Sequence, residues 1–267
     1  MAFPFGRPID WKLVVSAVSF LNTWPLVWGF QYGPQQGLFD FRFDLPMRCA
    51  AALEAGTADI GLVPCAELDR LGLDFLPDVG IACTGAVRSI LLISKVPIAQ
   101  IKTLALDSSS RTSVALARIL LAERYGCVPA MTRQSPQLDH MLADCDAALV
   151  IGDPALHLDP EKLPYLTLDL GAEWVAWSGL PMVFAVWAGH APKLTVDARE
   201  AFRASYEWGL ARTEEMVERA AAERGYAKEL ARDYFTRFIS YRLTARHLEG
   251  LGLFRKLAGE LEPLVLR

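Results

Sequence analysis

The sequence predicts an α/β protein built as two lobes that face each other across a ligand cleft. Three observations carry this reading. Short apolar runs alternate with helical patterns from Lys12 to Gly126, the pattern of successive βαβ units. Two strong apolar runs, "RSILLISK" at 88–95 and "PMVFAVWAG" at 181–189, stand where the chain would cross from one set of units to the other and back. Strand patterns cease after Thr195, and the helical remainder must pack on sheets already formed.

The elements follow in order. "KLVVSAV", Lys12–Val18, is a strand, and "SFLNTWPLVWGF" after it starts a helix, with Asn22 or Thr23 as cap and Pro25 near the first helical position. "LPMRCAAALEAG" is a helix from Pro46 to Gly56, and "ADIGLVP" is a strand. Two strands flank the Thr84-Gly85 turn, the second ending before Lys95-Val96-Pro97. Thr103–Leu106 is a strand, followed by a polar loop and an amphipathic helix over Thr112–Arg124. "DAALVIGDP" and "LPMVFAVWAG" supply two more strands. The expected lobes are residues 1–94 with 185–267, and an inserted lobe of residues 95–184. Two such lobes joined by extended crossings can close on a ligand.

Composition narrows the function. With 267 residues, 52% of them hydrophobic, the chain can bury a large core. A net charge of −4 with scattered signs offers no basic stripe for nucleic acid, so the expected partner is a small molecule. "MAFPFGRPIDWKLVV" has no secretory pattern and no later stretch approaches a membrane span; a cytoplasmic protein without a membrane partner is expected. The five cysteines, 49, 65, 83, 127 and 145, are odd in number and lack CxxC spacing, which suits reduced core residues. His140, His157, His190 and His247 show no metal-ligand spacing, and Walker, G-x-G-x-x-G and G-x-S-x-G motifs are absent. No metal and no cofactor are expected.

Three polar clusters fall at strand ends, where open α/β sheets bind ligands. The first is Ser19, Asn22 and Thr23, the second Arg88 and Ser89, the third "DSSSRTS", Asp107–Ser113. A helix start needs one serine as cap, so Ser109, Ser110, Arg111 and Thr112 together point to an anion site of hydroxyls, unpaired N–H groups and a guanidinium. For Arg88 a structural ion pair competes with a ligand role. For Asn22 spacing does not choose between capping and ligand binding. Asp153 in "IGDP" stands either at the cleft mouth or in a plain turn.

The segments "VSFLNTWPLVWG", "ADIGLVPCAEL", "GAVRSILLISKVPIAQIKTLALDSSSRTSVALARILLAERYG" and "AALVIGDPAL" resemble the chorismate dehydratase family, the MqnA proteins of the futalosine route to menaquinone. The likeness runs from about Val14 to Ala188. It implies a type II periplasmic-binding-protein-like fold and loss of water from chorismate to give 3-[(1-carboxyvinyl)oxy]benzoate. The sister family that makes 1,4-dihydroxy-6-naphthoate is expected to carry a histidine base where this chain has Gly152. Under this resemblance Asn22 and Ser89 are the expected catalytic residues. Ser19, Thr23, Arg88, Ser109, Ser110, Arg111, Thr112 and Asp153 are the expected substrate contacts, supplying anion sites for two carboxylates. A non-catalytic binder or sensor of a small carboxylate on the same fold is the competing reading.

Overall fold

The apolar runs pair into two sheets in the computed structural model, which describes residues 12–107 and 109–266. The reading of the N-terminal "MAFPFGRPIDW" therefore lies outside the described residues, as does Ser108. The strands are β1 (Val14–Val18), β2 (Asp40–Asp44), β3 (Ile60–Pro64), β4 (Asp74–Cys83), β5 (Ile90–Ser94), β6 (Thr103–Leu106), β7 (Ala130–Arg133), β8 (Ala147–Ile151), β9 (Leu166–Asp169), β10 (Met182–Gly189) and β11 (Ser240–Arg242).

The first sheet has the order β11-β4-β10-β3-β1-β2 and the second β7-β6-β8-β5-β9. β1 is parallel to β2 and β3, while β10 runs antiparallel between β3 and β4. In the second sheet β6 is parallel to β7 and β8, and β5 is antiparallel to β8 and β9. β3, β5 and β8 are buried along their whole length, as expected of strands covered on both faces.

Sheet membership moves the expected division of the chain. "ILLIS", assigned above to the first lobe, lies in the second sheet, and Met182–Phe184, assigned to the second lobe, lie in the first. A fully apolar strand carries no mark of its sheet, because its partners are distant in sequence. We propose crossings at residues 84–89 and 170–181.

Other differences have local causes. β2, "DFRFD", alternates charge with phenylalanine at the sheet edge, a pattern that guards an edge but hides the strand. β11 is a three-residue strand beyond Thr195, where only helices were expected. The long helix of the second lobe is Arg111–Glu123, capped by Ser110, whose hydroxyl accepts from the Ser113 N–H at 3.4 Å. Thr23 takes the N-cap position of the helix Trp24–Tyr32, but neither it nor Asn22 makes a side-chain capping bond. They sit in a 3-10 turn, Leu21–Thr23, leading into the helix Trp24–Tyr32, where Pro25 occupies the first turn as expected.

The helix Trp24–Tyr32 packs on Val196–Leu210 at close range. The Ser205 hydroxyl donates to Leu26 O at 2.9 Å and accepts from Phe30 N–H at 3.2 Å, so the contact is both packed and polar-satisfied. Phe202 lies 5.1 Å from Phe30 and 4.4 Å from Trp187 between ring centroids, which ties this helix pair to β10. All five cysteines are free and buried. No described helix is long and apolar enough to cross a membrane.

His247, in the first turn of the helix Ala245–Gly259, lies 6% exposed, and its Nδ1 accepts from the Thr244 N–H at 3.3 Å. Burial holds its pKa below the ordinary 6.5. A group whose folded pKa is depressed binds more protons when unfolded, so its contribution to stability is lost as pH falls below about 6.5. The melting temperature is expected to drop on acidification through this range, and to drop less in His247→Gln. Equal slopes for the two proteins would remove His247 from the account.

Candidate active site

Between the sheets lies a cleft of about 500 Å³, part of it open to solvent. Its walls are apolar, with Phe20, Ile81, Val87, Ile90, Ile151 and Phe184, and its polar side chains are Asn22, Ser89, Ser110 and Ser113. Apolar walls with few polar groups are the usual makeup of small-molecule sites. These polar groups arrive from three parts of the chain. Asn22 follows β1, Ser89 precedes β5, and Ser110 and Ser113 open the helix Arg111–Glu123.

Ser89 is held by an unusual backbone. Arg88 has φ 67°, a left-handed conformation costly for a side chain with Cβ. Asp169 enforces it. Its carboxylate accepts from the N–H groups of Val87 at 3.0 Å and Arg88 at 2.6 Å, and also from Gly171 and Ala172, capping the helix Leu170–Ser178. Burial pushes the Asp169 carboxyl above its ordinary value despite these donors. The turn delivers Ser89, 1% exposed, to the cleft, where its hydroxyl accepts from the Tyr234 phenol at 2.7 Å.

A helix N-terminus also lines the cleft. The first N–H groups of Arg111–Glu123 have no acceptor within the helix, and the macrodipole makes this end favourable for an anion. The presence of Ser110 and Ser113 in the lining places that end at the cleft.

The remaining expected contacts do not line the cleft; several tie chain segments together. The Arg88 guanidinium donates to Ala155 O at 3.3 Å and to Leu158 O, beyond the helix Gly152–His157. Arg111 Nε lies 2.7 Å from Glu67 Oε1, a carboxylate that also meets Arg70 at 2.6 Å. The Thr112 hydroxyl accepts from Ala66 N–H at 3.1 Å. Ser109 O accepts from Met47 N–H at 3.1 Å, while its hydroxyl is buried with no partner among the described residues. The Thr23 hydroxyl is likewise buried without one.

Asp153 joins the lobes most fully. Its Oδ1 accepts from Leu21 N–H at 2.9 Å and its Oδ2 from Arg224. Arg224 also donates to Ser19 O at 2.9 Å and lies over the Trp24 ring. Burial raises the Asp153 carboxyl, and the Leu21 N–H and the Arg224 charge pull it back. Ser19 therefore serves this latch through its carbonyl. These residues were assigned to a ligand because their partners, Glu67, Ala66, Leu21 and Arg224, lie far away in sequence.

Gly152 has φ 65°, and a Cβ there would come within 2.5 Å of the Phe20 ring. The positive φ disfavours a side chain with Cβ here, and the Phe20 ring would have to move to admit one. Among the described residues no group of three or more His, Cys, Asp or Glu is arranged to hold a metal ion. Tyr234 is the site residue sequence reasoning missed. It stands in a helical stretch without a motif, and only the fold brings it to Ser89.

Comparison with known proteins places this geometry in a family. The chain is similar to a solved protein from Archaeoglobus fulgidus, with TM-score 0.75 and 17% identity over 94% of this chain and 98% of the other. It is also similar to the periplasmic aliphatic sulphonate binding protein SsuA of Escherichia coli, with TM-score 0.64 and 15% identity over 93% and 85%. The fold is thus periplasmic-binding-protein-like, as expected. Chorismate dehydratase of Thermus thermophilus is 34% identical over 211 residues, 72% of this chain and 74% of the relative. A family model described as menaquinone biosynthesis matches residues 13–260, and on this match the chain belongs to the menaquinone biosynthesis family.

Proposed function

We propose that the protein is a chorismate dehydratase, a hydro-lyase that converts chorismate to 3-[(1-carboxyvinyl)oxy]benzoate and water in menaquinone biosynthesis. One observation carries the reading. An apolar cleft presents an amide and a hydroxyl, Asn22 and Ser89, together with a helix N-terminus that carries Ser110 and Ser113. The apolar walls suit a six-membered ring, and the helix end suits its carboxylate. A cytoplasmic location fits the use of a metabolic intermediate as substrate.

The chemistry follows from the substrate. The C3 proton is acidified through the C1=C2 bond by the ring carboxylate, so N–H and O–H donors on that carboxylate stabilise the charge that flows into it. The enolpyruvyl carboxylate takes the C3 proton. As the C4–O bond breaks, that carboxyl passes the proton to the departing oxygen, which leaves as water, and the ring becomes aromatic. Asn22 and Ser89 hold the reacting geometry and donate to the departing oxygen. Gly152 supplies no histidine base at the position where the sister family is expected to carry one, which favours this reaction over naphthoate formation.

Purified protein mixed with chorismate is expected to produce the aromatic product, read by absorbance and mass, and to leave the cyclic futalosine derivative of the sister reaction untouched. Bound but unconverted chorismate would favour a binder or sensor. Formation of the naphthoate would move the protein to the sister activity.

A further inference from the structure

Tyr234 is 0% exposed, yet its phenol is not spent on the core. It donates to Ser89 Oγ at 2.7 Å, and the Asn22 side chain lies beside the same phenol. Tyr234 comes from the far C-terminal part of the chain, at the start of a single π-helical turn, Tyr234–Phe238, that follows the helix Lys228–Asp233. Such turns re-aim side chains and recur at functional sites. The turn therefore brings a buried donor from outside the cleft onto the two residues expected to act in it.

We infer that Tyr234 is a positioning residue, which fixes Ser89 as a hydrogen-bond donor to the substrate. The inference rests on the dehydratase reading above. A serine hydroxyl has one proton and two lone pairs. Tyr234 occupies a lone pair of Ser89 Oγ, so that oxygen is a poor candidate for a base and its proton is left to donate. Among the described residues the proton has only Val87 O at 3.4 Å, a contact too long to compete with a ligand oxygen in the cleft. Donation into Oγ also polarises the hydroxyl and strengthens its own donation onward. Burial pushes the Tyr234 phenol well above its ordinary pKa, so the phenol stays protonated and able to donate throughout the working pH range. No proton leaves the chain of groups; the substrate carboxylate carries the one that is transferred.

Tyr234→Phe keeps the buried ring and removes the phenol. With chorismate as substrate, it is expected to lower kcat by about ten- to a hundredfold with KM within about twofold, the pattern of an interaction made in the transition state. Adding Tyr234→Phe to Ser89→Ala should lower kcat no further than Ser89→Ala alone, because the phenol acts through that hydroxyl. A purely structural role would lower the melting temperature and multiply with Ser89→Ala. Wild-type kcat in Tyr234→Phe, or multiplicative losses in the double variant, would overturn the inference while leaving the dehydratase reading in place. A folded wild-type protein that does not convert chorismate would overturn both.

Discussion

Asn22→Ser is expected to lower kcat for chorismate dehydration by about ten- to a thousandfold with a nearly unchanged melting temperature, the scale for losing one polar group that favours the transition state. The substitution spares the helix start, though it also withdraws the amide from the Tyr234 phenol. Asn22 makes no capping bond in its 3-10 turn, so serine forfeits no cap. Its backbone neighbour Leu21 is anchored independently by Asp153. What serine lacks is reach, since the amide that lines the cleft beside Ser89 is shortened to a hydroxyl. Steady-state kinetics with thermal melting decide the matter. Near-normal turnover would reduce Asn22 to a wall residue and shift attention to Ser89, Ser110 and Ser113.

Asp153→Ala is expected to act on both stability and catalysis. It leaves the Leu21 N–H without its acceptor and removes the carboxylate facing Arg224, both largely enclosed. Losing a partner from such an arrangement costs about 2–3 kcal/mol. Because Asp153 follows β8 of the second sheet while Leu21 and Arg224 pack with the first, the loss also favours the open arrangement. kcat/KM for chorismate should fall by about tenfold or more, and small-angle scattering should show an expanded molecule. Urea unfolding and kinetics indistinguishable from wild type would show that closure does not depend on this latch.

The sheets were legible where burial writes a continuous apolar run. "VVSAV", "IGLVP", "ILLIS" and "AALVI" each became a strand. "DFRFD" and "SYR" were not legible, because a short or edge strand keeps charged residues on its open side. At the site, Asn22, Ser89 and Ser110 line the cleft. Arg88, Arg111, Thr112 and Asp153 carry the same kinds of groups, but bonds to other parts of the protein occupy them. A sequence shows that a polar group stands at a strand end. It does not show whether another part of the chain reaches it first, as Arg224 reaches Asp153 from 71 residues away.

The cleft's neutral polar lining bears on basicity. Among the described residues, its polar side chains are an amide and three hydroxyls, while Arg88 and Arg111 are turned to Ala155, Leu158 and Glu67. A guanidinium clamped on a carboxylate lowers its pKa and makes it a poor proton acceptor. For a substrate that must supply its own base, such a clamp on the enolpyruvyl carboxylate would tighten binding and slow the reaction. On the mechanism proposed above, engaging Arg88 and Arg111 elsewhere forgoes a strong grip on a dianion and would leave that carboxylate able to take the proton.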